Sequence, residues 1–424
     1  MGVEVTRLAN GIAVATHDMP HLESVALGLW VGAGARSEAP NEHGISHLLE
    51  HMAFKGTRRR SARDIAEAIE RVGGEMNAET SVDHTTYYMR LLKDDMALGL
   101  DVLGDIVCDP LLDPDELALE QHVILQEIGA AYDVPEDFVF DMFQEAAFPQ
   151  QAIGRSILGT PDSIRSHTAG DLRRFLDAQY RGPGIVVAAA GNLDHGEVVR
   201  QAEEHLGGLS GERPAPPESG SYSGGDWRER RNLNEAQILL GFAGPSFTDK
   251  SFPSAHILSA ILGGGMASRL FQELRENRGL CYSISSFYWP FSDTGLFGVQ
   301  TATSDEDVGE LIPVVLDEIR KTTDGVTPAE LSRAKAQLRA GLLMTLESPI
   351  ARAGQMARHI LVYGRPLTLA ETVAKVDAVT IDDVAALAHR VVASPPTLAA
   401  IGPLAALPEM QAIAGRMNGH ESGV

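Results

Sequence analysis

On either side of Asn10-Gly11 apolar and polar residues alternate, through VEVTRLA before the pair and IAVATHDM after it. Period-two alternation about an Asn-Gly pair predicts two strands joined by a tight turn. VALGLWVGAGARSE, residues 25–38, reads as an apolar strand running into a stretch of small residues, and HGISHLLEH, residues 43–51, then takes up the apolar period of a helix. Farther on, LDPDELALEQHVILQEI and TAGDLRRFLDAQY read as further helices.

The same order of patterns returns later in the chain. AQILLGFAGPSFTD and then HILSAILGG repeat the strand, small-residue stretch and helix; VTPAELSRAKAQLRAGL and TIDDVAALAHRVV repeat the two later helices. His47 stands 213 residues before Ala260, and Glu116 stands 214 before Glu330. A nearly constant offset over this distance is what tandem copies of one domain produce. Between the copies GGLSGERPAPPESGSYSGG, rich in Gly, Pro and Ser, has no apolar period and marks a linker. The expected architecture is α+β, with two homologous domains, each a mainly antiparallel sheet packed against helices. The boundaries read as residues 1–210, a linker at 211–228, and residues 229–424.

Composition narrows the function classes. With 35 basic against 58 acidic residues the formal net charge is −23, which argues against a nucleic-acid partner; an acidic protein can attract basic peptides, although acidity more often keeps a protein soluble. Cys108 and Cys281 show no metal or redox spacing, so a reducing compartment is the simplest setting. No basic stretch leads into an apolar one at the N-terminus, and no apolar run approaches the roughly 18 residues of a membrane span. A cytoplasmic location is expected, without a membrane partner.

The candidate chemistry lies in HGISHLLEH. His47 and His51 are four apart on a helical segment, so both imidazoles project from one face, roughly 6 Å from each other. Such a pair can bind one small cation, with Glu50 placed to approach a water there. The competing reading is a solvated helix face. Against it, the second copy has Ala260, Gly263 and Gly264 where the first has His47, Glu50 and His51, so the repeated architecture does not require them. Catalytic zinc usually takes a third protein ligand. The later helix offers Glu116, Glu120 and Glu127, the last two on one face two turns apart. The second copy has Ala334 and Gly341 in place of Glu120 and Glu127. Spacing alone does not choose between those two acids.

At HLLEHMAFKGT the chain resembles the pitrilysin family of zinc peptidases, above all the members of about 420 residues that resemble the subunits of the mitochondrial processing peptidase. The resemblance covers essentially the whole chain and implies the processing-peptidase-like metallohydrolase fold. It implies one Zn²⁺ per chain, held by His47, His51 and Glu127, the last lying 76 residues beyond His51. It implies Glu50 as the general base and Glu120 as an additional acid beside the metal ligands. Asn77 and Ala78, in GGEMNAETS, are carried over as the edge-strand segment that pairs with substrate backbone. Arg275 and Tyr282, in the second copy, are carried over as residues that grip the substrate and stabilise an oxyanion. The implied activity is zinc-dependent endopeptidase cleavage of unfolded peptides inside a chamber enclosed by a homodimer. The alternatives are a subunit of a heterodimeric processing-type peptidase and a non-catalytic metal-binding scaffold.

Overall fold

The computed structural model describes residues 2–417. Along the first half, the alternating segments form β1 (Glu4–Arg7) and β2 (Ala13–Asp18), and the apolar run forms β3 (Ser24–Val31). Helices α1 (Ile45–Ala53) and α2 (Ala62–Glu70) precede the hairpin of β4 (Glu75–Thr80) and β5 (Thr85–Leu92). Then come α3 (Met96–Cys108), α4 (Pro114–Tyr132), α5 (Pro135–Ala147), α6 (Pro161–Ser166), α7 (Ala169–Gln179), β6 (Ile185–Gly191) and α8 (His195–Leu206).

The second half repeats this order. β7 (Gly225–Arg230), β8 (Ala236–Ala243) and α9 (Phe252–Gly263) lead to a π-helical segment, Phe271–Asn277, in the place that α2 has in the first half. β9 (Ser283–Pro290), β10 (Gly295–Thr303), α10 (Val308–Lys321), α11 (Pro328–Thr345) and α12 (Pro349–Tyr363) follow. α13 (Leu369–Ala378), α14 (Ile381–Ala393), β11 (Thr397–Gly402) and α15 (Met410–Met417) complete it. Start signals recur with the elements. α4 and α11 both open on proline, and Thr168–Asp171 and Thr380–Asp383 form reciprocal capping boxes at α7 and α14.

The first sheet has the order β1-β2-β6-β3-β5-β4 and the second β7-β11-β8-β10-β9. Without β1 the two orders correspond strand for strand. Each sheet has one parallel pair, β2 with β6 and β7 with β11, and is otherwise antiparallel. The expected α+β class and the tandem repetition are both present.

The compact units differ from the sequence halves. One takes the chain up to residue 130 with 155–218 and 343–367; the other takes 131–154, 219–342 and the chain from 368 onward. Each unit thus includes a helix from the opposite copy. α12 lies on β2, β3 and β6, where Ala353, Met356, Ala357 and Ile360 close over Trp30, Val186 and Ala188. α5 lies on β7, β8 and β11. A boundary drawn at residues 211–228 misses this exchange, and β7 already begins within that stretch. The physical reason is that an amphipathic helix shows which face it must bury but not against which of two similar sheets.

On the other face of the first sheet, α1, α3 and α8 enclose the main core of that unit. In the second unit Phe143 of α5 is fully buried, its ring 5.5 Å from that of Phe287. Gly241 on β8 makes this seat possible, because a Cβ there would lie 2.5 Å from Phe143 Cζ. Phe143→Ala should therefore destabilise the second unit by about 3–5 kcal/mol, measured as a lowered denaturant midpoint with little change in slope; an unchanged midpoint would show that α5 does not hold that sheet.

Candidate metal centre

α1 is buried along most of its length, with Ile45, Leu48, Leu49 and Met52 in the core and Glu50 and His51 half-buried. Its N-terminus has no side-chain cap of the usual kind. Gly44 occupies the cap position at φ +85°, where a Cβ would meet Ile164 Cδ1 at 2.7 Å and Gly159 Cα at 2.8 Å. Glu38 serves instead, accepting the N–H groups of Gly44 and Ser46, each at 2.9 Å. Two of the orphan donors at the start of the helix are satisfied in this way. Glu38 is only 3% exposed, and burial pushes its carboxyl up to about 7, against the lowering effect of those N–H donors and of the nearby Arg155 charge.

One turn apart on this fixed helix, the rings of His47 and His51 have centroids 4.6 Å apart at an angle of 68°. α4 lies beside them and presents two acids. Glu127 Oε2 is 3.8 Å from Nε2 of His47 and 3.8 Å from Nε2 of His51. Those separations are too long for hydrogen bonds. They are close to the roughly 3.3–3.6 Å between ligands of one tetrahedral ion with bonds of about 2.0–2.2 Å. His47, His51 and Glu127 are the one group of three such side chains, among the described residues, whose ligand atoms converge in this manner. Burial, reinforced by the neighbouring His51, lowers the His47 pKa to about 4, so its imidazole stays neutral and keeps a lone pair for a cation. The donor set fits zinc, and half-exposed Glu127 leaves one side open to solvent.

Glu120, the other acid of α4, is buried and accepts from His51 Nδ1 at 2.9 Å, while Lys55 Nζ contacts its second oxygen at 2.6 Å. Burial alone would raise the Glu120 pKa, but the hydrogen bonds and charges of Lys55 and His51 outweigh it and hold the carboxyl below its ordinary value. His47 differs, because its Nδ1 is buried and makes no hydrogen bond. Glu50 accepts from Thr80 Oγ1. Burial raises the Glu50 pKa; the Thr80 hydroxyl and His51 counter this, and the acids Glu127 and Glu79 add to it. Glu50 is thus more basic than an ordinary carboxylate. Glu116 lies in the first turn of α4, outside the converging group.

β4, the strand that supplies Thr80, is the sheet's edge strand and pairs with β5 alone. Asn77 is exposed and Ala78 half-buried, and the Ala78 N–H, turned away from β5, is held by Asn77 Oδ1 at 2.8 Å. Arg275 and Tyr282 sit together in the second unit. The Arg275 guanidinium lies 5.1 Å from the centre of the Tyr282 ring and 4.6 Å from that of Phe271, and Tyr282 is 77% exposed.

Comparison with known proteins gives the family. The family model described as Insulinase (Peptidase family M16) matches residues 13–161, and that described as Peptidase M16 inactive domain matches residues 166–338. The chain belongs to the M16, or pitrilysin, family of zinc peptidases. An uncharacterized zinc protease of Streptomyces coelicolor is 39% identical over 95% of this chain and 90% of its own length. One of Rickettsia bellii is 34% identical over 94% and 97%. A crystal structure of a protease from Helicobacter pylori shares the fold, with a TM-score of 0.86 at 22% identity, covering 95% of this chain and 99% of that one.

The family's two-domain pattern has a direct physical expression in this M16 chain. Where α1 carries Glu50, α9 carries Gly263, and a Cβ on Gly263 would lie 2.2 Å from the backbone nitrogen of Ser286. In the second unit, therefore, backbone of β9 fills the space that a carboxylate side chain has in the first. Sequence reasoning passed over Glu38, Lys55 and Thr80. Lys55 stands in plain view four residues after His51, and Thr80 lies two residues after Ala78 on the same strand face, but Glu38 carried no signal.

Glu38 also makes a pH prediction. The folded chain keeps its proton up to about pH 7, whereas an ordinary carboxyl releases it near 4.5. The folded state therefore binds more protons between these values, and the stability from this group falls as pH rises from about 4.5 to about 7, by about 3 kcal/mol at most. Glu38→Gln should flatten that stretch of the stability–pH curve in chemical denaturation; an unchanged slope would contradict the assignment.

Proposed function

We propose that the chain is a zinc-dependent endopeptidase that cleaves unfolded peptides, with His47, His51 and Glu127 holding one ion per chain and Glu50 acting as general base. The observation carrying this reading is the meeting of two Nε2 atoms and a carboxylate oxygen at one point, with a basic carboxylate on the same helix. Zinc held by His47, His51 and Glu127 would supply Lewis acidity to the scissile carbonyl and to the attacking water. Glu50, steadied by Thr80, takes a proton from that water and delivers it to the leaving amine. Glu120 orients His51 through Nδ1.

The free edge of β4 supports main-chain pairing with an extended peptide, in which Asn77 would release or share the Ala78 N–H. Such pairing reads backbone and requires an unfolded segment. Arg275 and Tyr282 would grip the substrate and stabilise the oxyanion, the guanidinium being already stacked on an exposed phenol. The subfamily is that of the mitochondrial processing peptidase, and the assembly is a homodimer enclosing a chamber, since one chain carries both sets of residues. The net charge of −23 favours basic peptides. The location is cytoplasmic, a reducing setting that suits the free thiols of Cys108 and Cys281.

Glu50→Gln should lower kcat by roughly 10²–10⁴-fold while the chain still takes up one equivalent of zinc. Glu127→Gln should instead lower zinc affinity. Cleavage of a mixed peptide library by Glu50→Gln at the parent rate would overturn the mechanism, and a monomer mass by light scattering would overturn the homodimer.

A further inference from the structure

We propose that Lys55 is a positioning residue of the metal centre, acting through Glu120 to fix which nitrogen of His51 faces the cation. The proposal rests on the reading that His47, His51 and Glu127 hold zinc. Lys55 lies two residues past the end of α1, and its backbone N–H bonds to Met52 O in the helix's last turn. Its ammonium is thereby tied to the helix that carries His51. From there Nζ reaches Glu120 Oε1 at 2.6 Å, and Glu120 Oε2 meets His51 Nδ1 at 2.9 Å. The three side chains form one line, from ammonium to carboxylate to imidazole.

The chemistry of that line is directional. An ammonium is only a donor and a carboxylate only an acceptor, so the nitrogen facing Glu120 must be an N–H. His51 is therefore held as the tautomer with Nδ1–H, and its Nε2 lone pair points toward Glu127. Glu120 could not do this alone, because its side chain is only 7% exposed and a lone carboxylate at that depth is costly. Lys55 balances the charge and also sets the carboxylate's rotation, one oxygen toward each partner. Among the described residues no protein group bonds to Nδ1 of His47, so of the two imidazoles His51 is the one that this line positions. Lys55 Nζ bonds to Glu120 rather than to a ligand atom, and its effect should appear in metal binding before any chemistry.

The test is zinc affinity, measured by chelator competition on the full chain. Lys55→Met should weaken zinc binding by about 10–100-fold, the usual effect of removing a group that supports a ligand, and Lys55→Arg should recover it to within a few-fold. In a Glu120→Gln background, Lys55→Met should add less than about twofold, because the two residues act as one unit. That double variant leaves no buried carboxylate unbalanced, so it keeps the comparison open even where Lys55→Met alone folds poorly. If Lys55→Met binds zinc as the parent does, or loses as much affinity in the Glu120→Gln background as outside it, the proposal is overturned. His51→Ala separates the two claims: zinc retained there sinks the metal centre itself, whereas zinc lost there but unchanged in Lys55→Met sinks only the role of Lys55.

Discussion

One turn of a buried helix carries the centre. His47 and His51 are four residues apart, and that spacing brings their Nε2 atoms to one point only if α1 stays regular through its first turns. The helix begins at a glycine in a left-handed conformation, pressed against Gly159 and Ile164, with a buried carboxylate taking its first N–H groups. Every polar group around the site is then defined relative to this helix. Glu127 and Glu120 approach from α4, Thr80 from the edge strand, and Lys55 from the helix's own end. Loss of the helix start would disturb all of them together.

The duplicated architecture shows what this arrangement requires. Both units build the same five-strand order and the same run of helices, yet α9 packs so closely on β9 that no side chain fits at the position of Glu50. Small residues make close packing in one copy, and in the other the same place holds polar side chains that must be balanced. The balance is local: Lys55 against Glu120, Thr80 against Glu50, and two backbone N–H groups against Glu38. Buried polar groups left without such partners would be costly.

Much of the fold was legible because its signals are periodic and repeated. Apolar alternation, proline at the starts of α4 and α11, and threonine–aspartate capping boxes recur at nearly constant offset, and they describe local geometry that the backbone then adopts. The pair of histidines was legible for the same reason, since helical spacing is itself a distance. The choice of Glu127 over Glu120 was not, because both lie on one face and only the approach of α4 separates a carboxylate at Nε2 from one at Nδ1. The exchange of α5 and α12 was also hidden, as the apolar stripe of a helix does not say which sheet it will cover. Glu38 reads in sequence as a polar residue after a strand, and its partners at Gly44 and Ser46 become visible only once the chain turns back on itself.

The central claim is that two imidazoles and one carboxylate, brought together by α1 and α4, share a single divalent ion. Zinc-edge X-ray absorption of the zinc-loaded chain tests this most directly. Two imidazole nitrogens at about 2.0–2.1 Å and a carboxylate oxygen at about 2.0–2.2 Å are expected, and this signal should be lost in His51→Ala. A zinc environment with fewer than two imidazoles, or one left unaltered by replacing His47 or His51, would contradict the account.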